Sequence, residues 1–116
     1  MFNGKGDNLV VKLSKRPAMS ERALMEYVID LCKLAKWTFF HDHDSRRNPA
    51  GLPDLIMVKD GRIIFAELKT EKNKLSEAQN KWLAELQRCK NIEVYVWRPS
   101  DIPAIERTLL GRLRRR

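Results

Sequence analysis

The stretch 51-GLPDLIMVKDGRIIFAELK-69 decides the fold that we predict for this 116-residue chain. Its apolar runs, LIMV and RIIFAEL, are separated by Asp60–Gly61, a dipeptide typical of a two-residue turn between antiparallel strands. Residues 54–69 are therefore predicted to form a β-hairpin. Residues at equal distances from the turn face each other in such a hairpin, so Asp54 is predicted to lie opposite Glu67.

Three ionisable side chains stand at the ends of these apolar strands: Asp54, Glu67 and Lys69. Alternate residues of a strand share a face, so Glu67 and Lys69 point the same way. Two carboxylates this close repel each other unless a positive charge lies between them. Mg²⁺ is held by one or two carboxylates with water and phosphate, and Lys69 would stabilise developing negative charge. A buried salt bridge of Lys69 with Glu67 or Asp54 is the alternative.

Hydrophobic periodicity extends the prediction outward from the hairpin. A helix is predicted from the cap residue Ser20 to about Lys36, a strand at residues 37–43, a helix after Ser76 and a strand at residues 92–97, before a terminal helix. The order α-β-β-β-α-β-α indicates an α/β fold with a mixed sheet flanked by helices. The last two strands are joined by a helical crossover, so we predict that they are parallel.

The chain is predicted to form a single domain, residues 19–116, after a flexible basic arm, residues 1–18. Cys32 and Cys89 are too few for a disulfide framework or a zinc site, and both are expected to be buried thiols in a reducing cytoplasm. No apolar run approaches the ~20 residues that cross a bilayer. The N-terminus also lacks the apolar core of a secretory signal.

The net charge of +8 indicates an anionic partner. Nucleic acid is favoured over a membrane, because no Trp- or Leu-rich amphipathic face accompanies the basic residues. Simple solvation is the alternative explanation for the basic loop residues, and a frayed end is the alternative for the arginine-rich tail. The residues predicted to contact DNA are His43, Arg46, Arg47, Lys72, Lys74 and Arg114.

Glu21 and Gln79 each admit two roles on spacing alone. Glu21 lies in the first turn of the first helix, at the edge of its apolar face, where an acid also stabilises the helix dipole. Gln79 forms a capping box with Ser76, yet it faces the sheet, where its amide would orient water or the lysine. Trp82 and Trp97 are predicted to pack in the core.

Four segments resemble the VRR-NUC family of the PD-(D/E)XK nuclease superfamily. They are Ser20-Glu21, Gly51-Leu52-Pro53-Asp54, Glu67-Leu68-Lys69 and Leu75-Ser76-x-x-Gln79-x-x-Trp82. The likeness covers about residues 19–98. It implies a restriction-endonuclease-like αβββαβ core and a Mg²⁺- or Mn²⁺-dependent endodeoxyribonuclease.

The resemblance also implies roles for these residues. Asp54 and Glu67, with the carbonyl of Leu68, would hold the metal, and Lys69 would assist the attacking water. Glu21 resembles the family's first-helix acid, which we add to the metal ligands, and Gln79 its second-helix amide.

Stand-alone members that resemble this chain are bacterial or virus-encoded, act in the cytoplasm, and are often homodimers that cut branched DNA such as Holliday junctions. The alternatives are a nuclease for linear, nicked or flapped duplex DNA, and a catalytically idle nucleic-acid-binding module of the same fold.

Overall fold

A computed structural model of the chain describes residues 19–42 and 50–111. The predicted arm at residues 1–18 lies outside the described residues, as do His43, Arg46, Arg47 and Arg114. The elements are α1 (Glu21–Leu34), β1 (Thr38–His41), β2 (Leu55–Lys59), β3 (Arg62–Leu68), α2 (Glu77–Gln87), β4 (Glu93–Trp97), a 3-10 helix (Pro99–Asp101) and α3 (Ile102–Leu110). This order confirms the predicted α/β fold. No helix within the described ranges is long and apolar enough to cross a membrane.

The four strands form one mixed sheet in the order β1-β2-β3-β4. β1, β2 and β3 are successive antiparallel neighbours, whereas β3 and β4 are parallel, as the helical crossover predicts. Lys59 lies opposite Arg62 and Leu55 opposite Ala66, which is the predicted hairpin register. The turn residues Asp60 and Gly61 have φ of 50° and 79°, and positive φ at both positions is what a type I′ hairpin turn requires.

One face of the sheet is buried beneath α1 and α3. The two helices contact each other, and the indole Nε1 of Trp37 donates to the carbonyl of Leu109 at 2.8 Å. Burying an aliphatic side chain stabilises the fold by about 1.5–3 kcal/mol, so this layer is the main source of stability. Its fully buried side chains include Leu24, Val28, Leu55, Met57, Ile64, Leu68, Ile105 and Leu109.

The opposite face of the sheet is only partly covered. α2 packs against β4 on this side and buries Leu83. Towards β1 the face is open, because Phe40, which pairs with Ile56, is 54% exposed and Val58 is 43% exposed. Asp54 and Glu67 belong to this face, since each lies two residues from a strand position on it. The half-covered face therefore carries the charged strand ends.

Two apolar residues are more exposed than the sequence predicts. Leu34 continues the apolar repeat of the first helix but is 70% exposed, because the buried stripe runs through Leu24, Val28 and Leu31. Cys32 is buried as predicted, whereas Cys89 is exposed. α2 ends at Gln87, so Cys89 lies in the following turn rather than on the helix face towards the sheet.

The turn before β2 packs tightly against the first turn of α2. Gly51 has a φ of +88°, and a Cβ at this position would lie 2.4 Å from both the carbonyl carbon and the oxygen of Ala78. A side chain therefore has no room there. The absence of a Cβ at Gly51 brings the chain just before Asp54 into contact with α2.

We expect Gly51→Ala to destabilise the protein more than Gly61→Ala does. Both glycines have positive φ, which penalises a side chain by about 1–2 kcal/mol, but no atom lies within 4 Å of a Cβ at Gly61. The clash with Ala78 should add about 1–3 kcal/mol, the usual range for overpacking. Urea unfolding of the two variants measures the difference. Equal losses would show that the turn does not press on α2.

A candidate active site at the open end of the hairpin

Asp54 and Glu67 face each other where the β2–β3 hairpin opens. The register that pairs Leu55 with Ala66 places them as predicted. Asp54 is held on both sides: its Oδ2 accepts from the backbone N–H of Leu68 at 3.0 Å, and its carbonyl accepts from the N–H of Asp42 at 3.0 Å. Glu67 is only 2% exposed, although it carries a carboxyl group. The pair is therefore ordered by backbone contacts and largely removed from water.

Gln79 forms the predicted capping box and also contacts Glu67, rather than the water or lysine considered from the sequence. Its Oε1 accepts from the backbone N–H of Ser76 at 2.8 Å, and the Ser76 hydroxyl accepts from the N–H of Gln79, which completes the capping box. Its Nε2 donates to Oε2 of Glu67, also at 2.8 Å. The cap thus holds the amide rigidly, and the amide in turn orients the Glu67 carboxyl group.

The second oxygen of Glu67 has no partner among the described residues: Oε1 is buried and accepts no hydrogen bond. Burial, reinforced by the charge of Asp54, raises the pKa of Glu67 to about 8. Burial also raises the pKa of Asp54, opposed by the hydrogen bond from the Leu68 N–H. At neutral pH the pair therefore retains a proton when no cation is bound.

Lys69 lies close to both carboxyl groups, since its positive charge lowers the pKa of Asp54 and of Glu67. Its backbone N–H donates to the carbonyl of Trp97 at 3.0 Å, which ties the end of β3 to β4. Among the described residues, the ion pairs closer than 4.0 Å do not include Lys69. The buried salt bridge considered from the sequence is therefore not formed within the described part of the chain.

Two further acids surround the pair at greater distance. Glu21, half-buried in α1, follows the cap residue Ser20, and its charge raises the pKa of Glu67. Asp42, just after β1, raises the pKa of Asp54 in the same way. Within residues 19–42 and 50–111, however, no three His, Cys, Asp or Glu side chains come close enough together to hold one metal ion. Glu21 therefore acts on the pair through its charge rather than as an equal third member.

The loop between β3 and α2 is braced by Arg98, a contact that the sequence did not reveal. One guanidinium nitrogen, Nη1, donates to the carbonyls of Thr70 at 2.6 Å and Asn73 at 2.7 Å. The carboxylate of Glu71 accepts from the backbone N–H and the hydroxyl of Ser100. These partners are more than 20 residues apart in the chain, so no local pattern signals them. The braced loop displays Lys72 and Lys74, both exposed.

The two tryptophans predicted for the core behave differently. Trp97 is 3% exposed, which confirms the prediction. Trp82 is only half-buried. α2 covers one side of the open face, so that it buries Leu83 and leaves the neighbouring indole at the surface beside the turn that contains Ala50.

Comparison with known proteins identifies the family and the fold. The family model of the VRR-NUC domain matches residues 10–101, so the chain belongs to the VRR-NUC family, which is part of the PD-(D/E)XK nuclease superfamily. A solved structure described as a VRR_NUC domain protein superposes with a TM-score of 0.64. The two share 15% sequence identity over 81% of this chain and 90% of that one. A search of curated proteins finds no match.

The family model indicates the class of protein, and the solved structure indicates the fold. At 15% identity the structural likeness shows the fold alone, which is the restriction-endonuclease-like arrangement of a mixed four-stranded sheet with three helices. The VRR-NUC domain implies a nuclease-type function, that is, hydrolysis of nucleic acid.

We expect the Glu67→Gln variant to be more stable than the parent protein above about pH 6 when no divalent cation is present. An unfolded glutamate titrates near pH 4.5, whereas burial raises the pKa of Glu67 to about 8 in the folded state. Between these values the folded state binds the extra proton, so the stability of the parent falls as the pH rises, by at most about 1.4 kcal/mol per pH unit. Glutamine cannot ionise, so the stability of the variant should not fall with pH in this way.

Thermal unfolding of both proteins in EDTA, from pH 5 to pH 9, tests this expectation. The advantage of the Gln variant should grow with pH and level off once the pH exceeds the folded-state pKa. A difference that stays constant across the range would mean that Glu67 does not retain a proton in the folded protein.

Proposed function

We propose that this VRR-NUC protein is a Mg²⁺- or Mn²⁺-dependent DNA endonuclease that acts on branched DNA such as Holliday junctions. The observation that carries the proposal is the pairing of half-buried Asp54 with buried Glu67, whose Oε1 has no partner among the described residues, and the ammonium of Lys69 nearby. A buried polar atom without a partner is destabilising. A bound cation that prefers oxygen ligands would give Oε1 of Glu67 a partner and offset the repulsion between the two carboxylates.

The acidic pair suits Mg²⁺, which keeps water among its ligands, better than it suits a cation that is bound by protein ligands alone. Mg²⁺ is usually held by one or two carboxylates and keeps several of its waters, so a site without a third close acid among the described residues suits it. Asp54 and Glu67 would hold the ion, with the Leu68 carbonyl, and Glu21, which acts on Glu67 through its charge, would add negative charge nearby. When bound, the ion would offset the negative charge that develops on the phosphate during attack by water.

The remaining side chains orient the reactants. Gln79 fixes the Glu67 carboxyl group through its Nε2, and the Leu68 N–H fixes Asp54. Lys69 would direct the attacking water and stabilise negative charge on the phosphate oxygens. These contacts exist before any substrate binds, so the charges are already in position.

The basic residues supply the attraction for DNA. Lys72 and Lys74 stand on the loop that Arg98 braces next to the site. We propose that His43, Arg46, Arg47 and Arg114, in the part of the chain outside the described residues, also contact phosphates.

We further propose that the protein acts as a homodimer in the cytoplasm of a bacterium or of a virus-infected cell. A symmetric dimer would present two active sites to the two strands of a branched substrate. Light scattering of the free protein measures the oligomeric state, and a monomeric mass in solution would remove this element of the proposal.

A panel of DNA structures tests the activity. The protein is incubated with Mg²⁺ or Mn²⁺ and a four-way junction, a flap, a nicked duplex or a plain duplex, all at the same ionic strength. Basic proteins bind all of these at low salt, so the rate of cleavage is the readout, and we expect the four-way junction to be cut fastest. Faster cleavage of flapped, nicked or plain duplex would favour the alternative nuclease. No cleavage of any substrate with either cation would favour a binding module without activity.

Substitutions test the roles proposed for the individual site residues. Asp54→Asn and Glu67→Gln should abolish both cleavage and the rise in melting temperature that a bound cation produces. Lys69→Met should keep that rise but lower the cleavage rate by about 10²–10³-fold, the usual loss when one charge-stabilising group is removed. Lys90→Met, an exposed lysine in the turn after α2, is the matched control and should cut as the parent does. Normal cleavage by Asp54→Asn would contradict the assignment.

A further inference from the structure

Trp82 stands at the surface beside the proposed active site. The other two tryptophans, Trp37 and Trp97, are 5% and 3% exposed, so Trp82 is the indole that a ligand can reach. A groove of about 500 Å³ lies next to it, within the size range of small-ligand sites. Its lining residues are Ala50, Ala78, Lys81, Trp82 and Glu85.

The groove and the acidic pair are built from the same two segments. Ala78 precedes Gln79, whose amide holds Glu67. On the other side, Ala50 belongs to the turn that leads into Asp54, and this turn presses against the backbone of Ala78. A DNA strand with a phosphate at Asp54 and Glu67 would therefore place a neighbouring nucleotide near the groove.

The chemistry of the groove matches a nucleobase. Trp82 lines the groove together with Ala50 and Ala78, whose small side chains leave space for a planar ring. Lys81 places a positive charge at the groove, where the phosphate of a bound nucleotide would emerge. Glu85 also lines the groove, and its exposed carboxylate lies 3.9 Å from the guanidinium of Arg88, in a surface ion pair.

We propose that this groove binds one unpaired nucleobase of the DNA strand in the active site, by stacking on Trp82; this inference rests on the nuclease function proposed above. In a duplex, neighbouring base pairs cover both faces of each base, so a base must leave the stack before it can contact an indole. Base stacking on aromatic side chains is the common means of holding single strands. The groove thus favours DNA with an unpaired or unstacked nucleotide at the cleavage point, as a flap carries and as a branch point would supply where its base pairs open.

Intrinsic fluorescence tests the binding of a base directly. The parent protein in EDTA is titrated with a short single-stranded oligonucleotide, and separately with a blunt duplex that carries the same number of phosphates. Because Trp37 and Trp97 are buried, quenching reports Trp82, and we expect saturable quenching by the single strand and little by the duplex. Equal quenching by both, or none while fluorescence anisotropy of labelled DNA shows binding, would overturn the proposal.

Two substitutions distinguish base stacking from the effect of side-chain volume. Trp82→Leu keeps an apolar side chain but removes the aromatic face, whereas Trp82→Phe keeps a face. We expect the Leu variant to bind the single strand about 5- to 150-fold more weakly, the equivalent of about 1–3 kcal/mol of base stacking, with duplex binding unchanged. The Phe variant should stay within a few-fold of the parent.

Equal weakening on single strand and duplex, or equal damage by both substitutions, would assign Trp82 a packing role and overturn the proposal. Circular dichroism checks that the variants are folded, and if they are not, the quenching of the parent protein decides. None of these measurements requires cleavage. If the single strand does not quench the fluorescence while junctions are still cut, only the groove proposal is wrong. If quenching occurs without cleavage, only the nuclease proposal is wrong.

Discussion

The register of the β2–β3 hairpin is the constraint on which the other features depend. The Asp60–Gly61 turn, with positive φ at both residues, places Lys59 opposite Arg62. A slip of one residue would turn every side chain of a strand to the other face. The apolar layer under α1 and α3 would then be lost, and the carboxylates would no longer meet. A single turn thus sets both the main core of the protein and its proposed active site.

The acidic pair works against the stability of the fold. Glu67 is 2% exposed, has one oxygen without a partner among the described residues, and has its pKa raised to about 8. Such departures from ordinary packing concentrate where a protein binds or reacts. The fold tolerates the cost of burying these acids because the opposite face of the sheet is well packed. Gln79 and the Leu68 N–H also hold the pair in place.

The site is assembled from segments that are distant in the chain. Gly51 allows the turn before Asp54 to touch α2, and α2 supplies Gln79 to the pair and Trp82 to the neighbouring groove. Arg98, after β4, braces the loop that displays Lys72 and Lys74. The half-covered face of the sheet therefore gathers acids, an amide, a half-buried indole and basic residues at one end.

The sequence by itself determined the element order, the hairpin register, the Asp54–Glu67 pairing and the capping box, because turns, periodicity and caps depend on residues close together in the chain. It left open whether Gln79 caps α2 or contacts the site, and the tertiary structure shows one side chain doing both. It also misplaced Cys89 and Trp82, and it gave no sign of the Arg98 brace. The exposure of Cys89 depends on where α2 ends, and that of Trp82 on how much of the sheet α2 covers. The Arg98 brace depends on carbonyls that are distant in the chain. Only the packing of complete elements decides these features.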